Sequence, residues 1–572
     1  MFKNVSLNSS TMEEGNLDKN SKFSEWYNNI VRASEVVDDR YPVKGMPVYY
    51  PNGYFATRKI LNILESELEK EGFEPYWFPV LIPYDIFKRE SEHIKGFESE
   101  VFYVTPSKPM EEEKDIKYVL RPTSETEMYY MFSLWIRSYR DLPLLTYMTN
   151  TVYRYETKAT KPLIRGRELL WNEAHTVHKD LDDAEKMIRK AMEIYSKVFW
   201  DHLSIPHIWV KRPDWDKFAG ADYTLAADTV LPDGKFLQIG TDHLLGRNFS
   251  KAFNIVFEDE HPFIKIDKNK FEAFNEDNYR YEIEIVEDKI KIRLYNNNKE
   301  LIKSYEGNIE FDGEISEDNK DLINKINNII KNEFNENKLV NKKFAWQTSF
   351  GISMRTLSAV ISIHGDNKGL ILPFEISKVQ IIIIPIYYSE DEKNKILKYC
   401  ENVYNLLKEK YRVKIDKDDT KSPGWKFNQY ELLGVPFRIS IGKRELEKNT
   451  VTISVRQYNN KAKDYEVKFE NLLNELNRLI IEYDKELKER ARKYFENKIL
   501  KVDNIKDLEN NLDKNVAFKV PFCMREECAK NIKEKYSFNV DGTDIIPEDA
   551  KDKKCIFCNR DAKYYVYVGK SY

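Results

Sequence analysis

At 572 residues the chain has the length of roughly three to five domains at about 100–200 residues each, with ample material for buried cores. Hydrophobic residues make up 41% of it, charged residues 33%, and mean hydropathy is −0.63, a composition that excludes an integral membrane protein. With 91 basic against 95 acidic residues the net charge is −4, which excludes a uniformly basic nucleic-acid binder and leaves local basic faces open.

Residues 1–22 are polar and lack the apolar core of a secretory leader, so they read as an N-terminal extension and the location as cytoplasmic. Ile60, Leu61, Leu64 and Leu68 fall on one face of a helix from Arg58 to Glu71, which Gly72 stops. Phe73 to Pro83 reads as an aromatic strand. Between Val101 and His178 strand-like runs alternate with a helix from Glu125 to Tyr139, ahead of a basic segment, Arg154 to Arg167. Without a regular βαβ repeat, this pattern predicts an α+β domain in which an antiparallel sheet carries helices.

Lys265 to Lys343, rich in Asn, Lys, Glu and Asp, reads as an insertion on a surface loop, with room for a small module of its own. Ile381 to Tyr388, the longest apolar stretch, is broken by Pro385 and too short to span a bilayer, so no membrane partner is expected. Its β-branched start, a helix from Asn394 to Lys410, and strands at Val413 to Ile415, Phe437 to Ile441 and Thr450 to Val455 indicate an α/β module. Asn471 to Phe495 is a charged connector helix. The domain divisions expected are 23–375, with the insertion at about 265–343, then 376–475, then 476–572.

Four of the five cysteines lie near the end, as Cys523-x4-Cys528 and Cys555-x2-Cys558. Two short-spaced pairs separated by a long loop suit a structural Zn²⁺, because four thiolates leave no open coordination position. Cys400, on the long helix, reads as a core residue.

The strongest local signal is Tyr153-Arg154-Tyr155-Glu156, followed by Arg165-Gly166-Arg167-Glu168. An Arg and a Glu two apart on a strand share a face, so one can grip a phosphate while the other accepts from an amine or base edge; a surface ion pair is the plainer alternative. Gln238-Ile239-Gly240-Thr241-Asp242-His243, Gly351-Ile352-Ser353-Met354-Arg355 and Gly365-Asp366-Asn367-Lys368-Gly369-Leu370 follow in that order.

These elements resemble the three signature motifs of class II aminoacyl-tRNA synthetases. Motif 1 corresponds to the helix and strand ending at Pro79, motif 2 to the Arg154-x-Glu156 strand with the Arg165 loop, and motif 3 to the strand and helix carrying Arg355. Arg121-Pro122-Thr123-Ser124-Glu125, Tyr153-Arg154-Tyr155-Glu156, Glu173-Ala174-His175-Thr176, Lys217-Phe218-Ala219-Gly220-Ala221-Asp222-Tyr223-Thr224 and Gly246-Arg247-Asn248-Phe249-Ser250 narrow the resemblance to the archaeal and eukaryotic type of prolyl-tRNA synthetases.

The resemblance implies ATP and proline as substrates, Mg²⁺ bridging the phosphates, tRNA for proline as partner, and a homodimer through motif 1. It carries Arg154 and Arg355 over as catalytic, and Arg154, Glu156, Arg165, Gly166, Gln238, Thr241, Ser353 and Arg355 as ATP contacts. Thr123, Glu125, Arg154 and His243 would hold proline, with Glu125 meeting the secondary ammonium. His175 and His178 receive no chemical role. The module from Val379 to about Glu470 resembles the family's anticodon-binding domain, with Lys426, Glu431 and Arg438 as candidate base readers. The final Lys570-Ser571-Tyr572 resembles the family's tyrosine terminus, so an extension there is expected to perturb folding.

Asp242, Arg247, Ala159, Gly166 and the insertion depart from the family pattern. A buried carboxylate at Asp242 would change the charge of the proline pocket. That leaves two rivals: a paralogue that activates a proline analogue or serves another acceptor, and a non-catalytic RNA-binding paralogue. The insertion does not resemble the editing domain of bacterial-type members.

Overall fold

The computed structural model describes residues 18–93, 101–105, 116–259, 263–275, 279–296, 299–316, 319–336 and 339–572. Most of the extension 1–22 therefore lies outside the described residues. Lys19 does not belong to a loose tail: it is buried, and its Nζ donates to the carbonyls of Ile363 and Gly365.

The first long helix is Pro51–Lys70, begun by a proline at a position where no N–H is required and ended at Gly72, whose φ of +87° suits glycine. The expected strand Phe73 to Pro83 is instead two short ones. Glu74–Pro75 pairs with Leu144–Tyr153, and Leu81–Pro83 with Tyr118–Leu120 in a separate small sheet. Pro75, Pro79 and Pro83 lack the donors that a continuous ladder needs.

The central sheet has eleven strands. Its spatial order is Ile499–Lys501, Ala517–Phe522, Tyr564–Gly569, Asn539–Asp544, Ile208–Lys211, Tyr223–Val230, Phe236–Gly246, Trp346–Ser353, Glu168–His178, Leu144–Tyr153 and Glu74–Pro75. It is antiparallel except at its two ends. The C-terminal module therefore shares a sheet with the N-terminal one, joined where Thr543 and Asp544 pair with Lys211 and Val210. The main core lies beneath it, against the helices Pro51–Lys70, Leu181–Ser196 and Arg355–His364.

The insertion has a core of its own. A meander, Ile264–Asp267, Lys270–Asn275, Arg280–Val286, Lys289–Tyr295 and Leu301–Asn308, packs one face on the helix Lys320–Phe334 through residues such as Tyr281, Ile283, Ile292, Ile326 and Ile330. Arg247 fastens it to the larger domain: its Nη2 lies 2.8 Å from Glu272, both side chains largely buried, and its guanidinium lies over Trp346.

Residues 381–468 form a five-stranded mixed sheet with Val413–Ile415, Ile381–Pro385 and Phe437–Ile441 parallel. Cys400 is in its core. The helix Leu472–Glu496 completes that core and then reaches the first, donating from Tyr494 to the carbonyl of Val230. Among the described residues no helix is long and apolar enough to cross a membrane.

Candidate active site

One cavity of about 510 Å³ opens on the central sheet, and all eleven residues expected to hold ATP and proline line it: Thr123, Glu125, Arg154, Glu156, Arg165, Gly166, Gln238, Thr241, His243, Ser353 and Arg355. Segments far apart in sequence meet there: the strands that carry or lead into Arg154, Thr241, His243 and Ser353 lie together in the sheet, and the start of the helix Glu125–Trp135 brings Thr123 and Glu125 to the same cavity.

The strand Leu144–Tyr153 ends one residue short of Arg154, so strand alternation does not bring Arg154 and Glu156 to the same cavity. The loop does. Arg154 N donates to the carbonyl of Arg167 and Glu156 N to that of Arg154. Arg154 Nε donates to the carbonyl of Pro122 at 3.0 Å and its guanidinium covers the Trp171 ring. Glu156 lies 3.7 Å from Arg165. Gly166 is required by close approach, since a Cβ there would sit 2.9 Å from the carbonyl oxygen of Gly45.

Arg355 opens the buried helix Arg355–His364 and donates from Nε to the carbonyl of Ile164 at 2.7 Å. Burial, followed by repulsion from Arg154 and Arg165, pushes its guanidinium down to about 10. Three arginines thus crowd one wall, an arrangement that a polyanion would relieve.

Beside them the lining is carboxylate and aromatic. Burial raises Glu125, which accepts from Thr123 Oγ1. Burial also works against ionisation of Glu173, yet hydrogen bonds from His175, Ser124 and Asn150 outweigh it and bring that carboxyl below its ordinary value. His243 is pushed down to about 3 by burial and then by His175, so its ring is neutral; it faces Thr224 Oγ1 at 2.9 Å and lies 4.6 Å from the Phe218 ring. A neutral imidazole, Phe218 and Trp171 give an apolar wall beside two acids, a setting for a small ring with a cationic nitrogen.

Trp171, Glu173, His175, Arg212 and Phe218 line the cavity without having been singled out as contacts. All but Arg212 sit in or beside segments with a recognisable pattern; Arg212 carries no local signal. It is buried, and its guanidinium joins Asp228 and Gln238 to Asp541 of the C-terminal module. His178 is buried away from the cavity between Thr176 and Asp183.

Asp242 does not line the cavity. It is fully buried and raised well above its ordinary value by burial, and the strand alternation that points His243 into the cavity turns Asp242 to the other face. The expected change in pocket charge therefore has no geometric basis. Arg247 is likewise accounted for by its Glu272 pairing.

In the mixed-sheet module, Glu431 and Arg438 line one narrow crevice, with Arg438 stacked on Phe427 and bonded to Ser454 Oγ. Lys426 is not beside them. It is buried, 3.2 Å from Asp416 and bonded to that residue's carbonyl, a structural placement for a long side chain expected to reach a base.

The four cysteines converge, all Sγ atoms lying within 4.8 Å of one another, with Cys528–Cys555 at 3.8 Å and Cys523–Cys558 at 3.6 Å. Tetrahedral thiolates around Zn²⁺ at about 2.3 Å have edges of about 3.8 Å. A disulfide would require about 2.05 Å. The group can hold a metal.

The chain matches three family models: the class II core domain of the Gly, His, Pro, Ser and Thr tRNA synthetases over residues 108–266, an anticodon binding domain over 380–479, and the prolyl-tRNA synthetase C-terminal domain over 505–572. It is 47% identical to a proline–tRNA ligase of Nanoarchaeum equitans, over 97% of this chain and 99% of that one. To the proline–tRNA ligase of Thermofilum pendens it is 38% identical, with 97% and 98% covered. Among solved structures, it resembles Giardia lamblia prolyl-tRNA synthetase in complex with prolyl-adenylate, with a TM-score of 0.77, 30% identity, and 97% and 100% of the two chains covered. Cryptosporidium parvum prolyl-tRNA synthetase complexed with halofuginone and AMPPNP gives a TM-score of 0.77 at 28% identity, with 97% and 99% covered.

Proposed function

The chain belongs to the prolyl-tRNA synthetase family of class II synthetases, and from that premise we propose how its own residues divide the work of an aminoacyl-tRNA ligase. It activates L-proline with ATP to prolyl-adenylate and pyrophosphate, then transfers proline to the 3′ end of tRNA.

In the first step a proline carboxylate oxygen attacks the α-phosphorus in line, forming the acyl–phosphate bond as the bond to pyrophosphate breaks. No base is needed, because the carboxylate is already ionised. Negative charge grows on the non-bridging oxygens, and Arg154, Arg165 and Arg355 stabilise it from a wall whose mutual repulsion is fixed before the substrate arrives. The convergence of Arg154, Arg165 and Arg355 on one cavity is the observation that supports the reading most directly. Glu156, beside Arg165 on the same wall, would face ATP with Gln238, Thr241, Gly166 and Ser353. Mg²⁺, when bound, would offset charge on the leaving pyrophosphate, with phosphate oxygens as its main ligands and Glu156 as the carboxylate on that wall.

Glu125 and Glu173 would receive the secondary ammonium, Thr123 would hold Glu125 in place, and His243 with Phe218 and Trp171 would enclose the ring. In the second module, Glu431 and Arg438 at their shared crevice remain the candidate anticodon readers; the burial of Lys426 argues for a supporting role. The four cysteines would hold Zn²⁺ as a structural ion. A homodimer is supported by Trp77, which is 77% exposed, in the segment after the strand Glu74–Pro75, and by the exposed Tyr130, Leu134 and Trp135 of the helix Glu125–Trp135, which packs on that segment through Trp135 against Tyr76 and Phe78. The cytoplasm is the location proposed.

Pyrophosphate exchange with each amino acid, followed by charging of total tRNA, tests this reading. Exchange and charging with proline are expected. Exchange with a different acid, or exchange without charging, would replace the reading with one of the paralogues.

A further inference from the structure

The segment Gly365–Leu370 lies outside the cavity, yet it is where the two large modules meet. Asp366, fully buried, accepts from Arg456 Nη2 at 2.6 Å and Nη1 at 3.1 Å, and from the backbone N–H of Asn459 at 2.6 Å. Its own turn supplies two more donors, Lys368 N at 2.9 Å and Gly369 N at 3.2 Å. Arg456 and Asn459 belong to the module matched by the anticodon-binding model. Lys368 Nζ donates to the carbonyl of Asn460 at 2.8 Å and lies 3.9 Å from Glu431, while Leu370 N donates to the carbonyl of Leu432. Glu431 and Leu432 close the helix Pro423–Leu432, and Glu431 lines the crevice that also holds Arg438.

Directly before this turn runs the helix Arg355–His364, buried at every residue after the first. Its C-terminal carbonyls accept from Lys19 Nζ and Arg490 Nη2, the latter a cation suited to that end of a helix dipole. Its N-terminal residue is Arg355. Ten helical residues span about 15 Å, and a helix enclosed in a close-packed core shifts as a unit more readily than it bends.

We propose that the turn Gly365–Leu370 couples the occupancy of the anticodon-binding module to the position of Arg355, with Asp366 and Lys368 as positioning residues. The inference rests on the synthetase reading above. Engagement of tRNA at the crevice of Glu431 and Arg438 acts on the helix ending at Leu432, and the Lys368 and Asp366 contacts carry that load to the C-terminal end of the Arg355 helix. Neither residue touches ATP or proline. Their effect is expected on how the site responds to tRNA, and not on the tRNA-free reaction.

The test uses tRNA oxidised at its 3′ end, which binds but cannot be charged, added to proline-dependent pyrophosphate exchange by the full chain. For the wild type, saturating oxidised tRNA is expected to change KM for ATP by about fivefold or more. Lys368→Ala should bring that ratio close to one, with tRNA-free exchange and tRNA affinity each held within about twofold, and Lys368→Arg should restore much of the response. Asp366→Asn should act in the same direction; because it disturbs a buried pair, its thermal midpoint is measured alongside, and Lys368→Ala carries the test if it fails to fold. A wild-type ratio of one, or an unchanged ratio in Lys368→Ala, would overturn the coupling. Absence of any proline-dependent exchange by the wild type would instead remove the function on which the inference rests.

Discussion

Arg355 donates from Nε to the carbonyl of Ile164 at 2.7 Å, across 191 residues of sequence. This bond sets the helix that begins at Arg355 against the loop that carries Arg165. Removing Arg355 therefore deletes a charge from the phosphate wall and also frees the loop.

Arg154→Ala is expected to abolish adenylate formation with the fold intact. The residue is only partly buried, with Nε bonded to the Pro122 carbonyl and the guanidinium over the face of Trp171. A loss of about 10³-fold or more in kcat for exchange is expected, the scale of losing a charge-stabilising donor. Circular dichroism and the thermal midpoint should be near wild type. Exchange within tenfold of wild type would remove Arg154 from the chemistry.

Much of this site was legible in order along the chain, because each contributing segment has its own pattern. What local pattern could not show was which face each residue takes. Asp242 follows Thr241 and precedes His243, and alternation alone would have turned it from the pocket once His243 was placed inside. The insertion was more legible than its composition suggested: Tyr281, Ile283 and Ile285 alternate with charged residues, as do Ile290, Ile292 and Leu294 across the turn at Glu287-Asp288. Arg212 was not readable at all. Its partners Asp228 and Asp541 lie 16 and 329 residues away, and only the pairing of Asn539–Asp544 with Ile208–Lys211 brings the second of them near.

The Arg247–Glu272 pair predicts that Arg247→Gln loosens the insertion without disabling the site. Glu272 keeps Arg280 at 2.9 Å, so the loss should be that of a missing buried hydrogen-bond partner, about 1–3 kcal/mol. Limited proteolysis should cut near residues 260 and 340 faster than in wild type, while proline-dependent exchange stays within twofold. Unchanged proteolysis would mean that other contacts seat the module.

The cysteine cluster predicts one tightly bound Zn²⁺ per chain, measured by elemental analysis. Its release should follow acidification, because the ligands must be thiolates to bind. Cobalt substitution should give the intense thiolate charge-transfer and visible bands of a tetrahedral site. Cys528→Ser, at a buried ligand, should lose the metal and lower the thermal midpoint of the C-terminal module. Because that module continues the central sheet through Asn539–Asp544, the damage should extend to the cavity edge at Arg212 and raise KM for ATP more than KM for proline. Full metal retention by the variant would rule out the four-thiolate site.

Lys161 predicts a specific dependence of stability on pH. Its ammonium, in the loop between Glu156 and Arg165, lies over the rings of Phe23, Tyr27 and Tyr572 and donates to Ser24 Oγ and Tyr572 Oη. Desolvation brings it down to about 8. An unfolded lysine keeps its proton to about 10.4, so between these values the unfolded chain binds more protons and the folded state gains stability as pH rises. Below about pH 8 both states hold the proton and the burial penalty is fully present. Lys161→Met keeps most of the apolar stem and removes the titration. The wild type should therefore gain on this variant by an amount of order 1 kcal/mol between about pH 8 and 10, a modest figure because the ammonium is partly solvated. Chemical denaturation of both proteins across that range measures the difference; a constant gap would mean that Lys161 keeps an ordinary lysine pKa in the folded chain, and that the aromatic rings around it offset the cost of its burial.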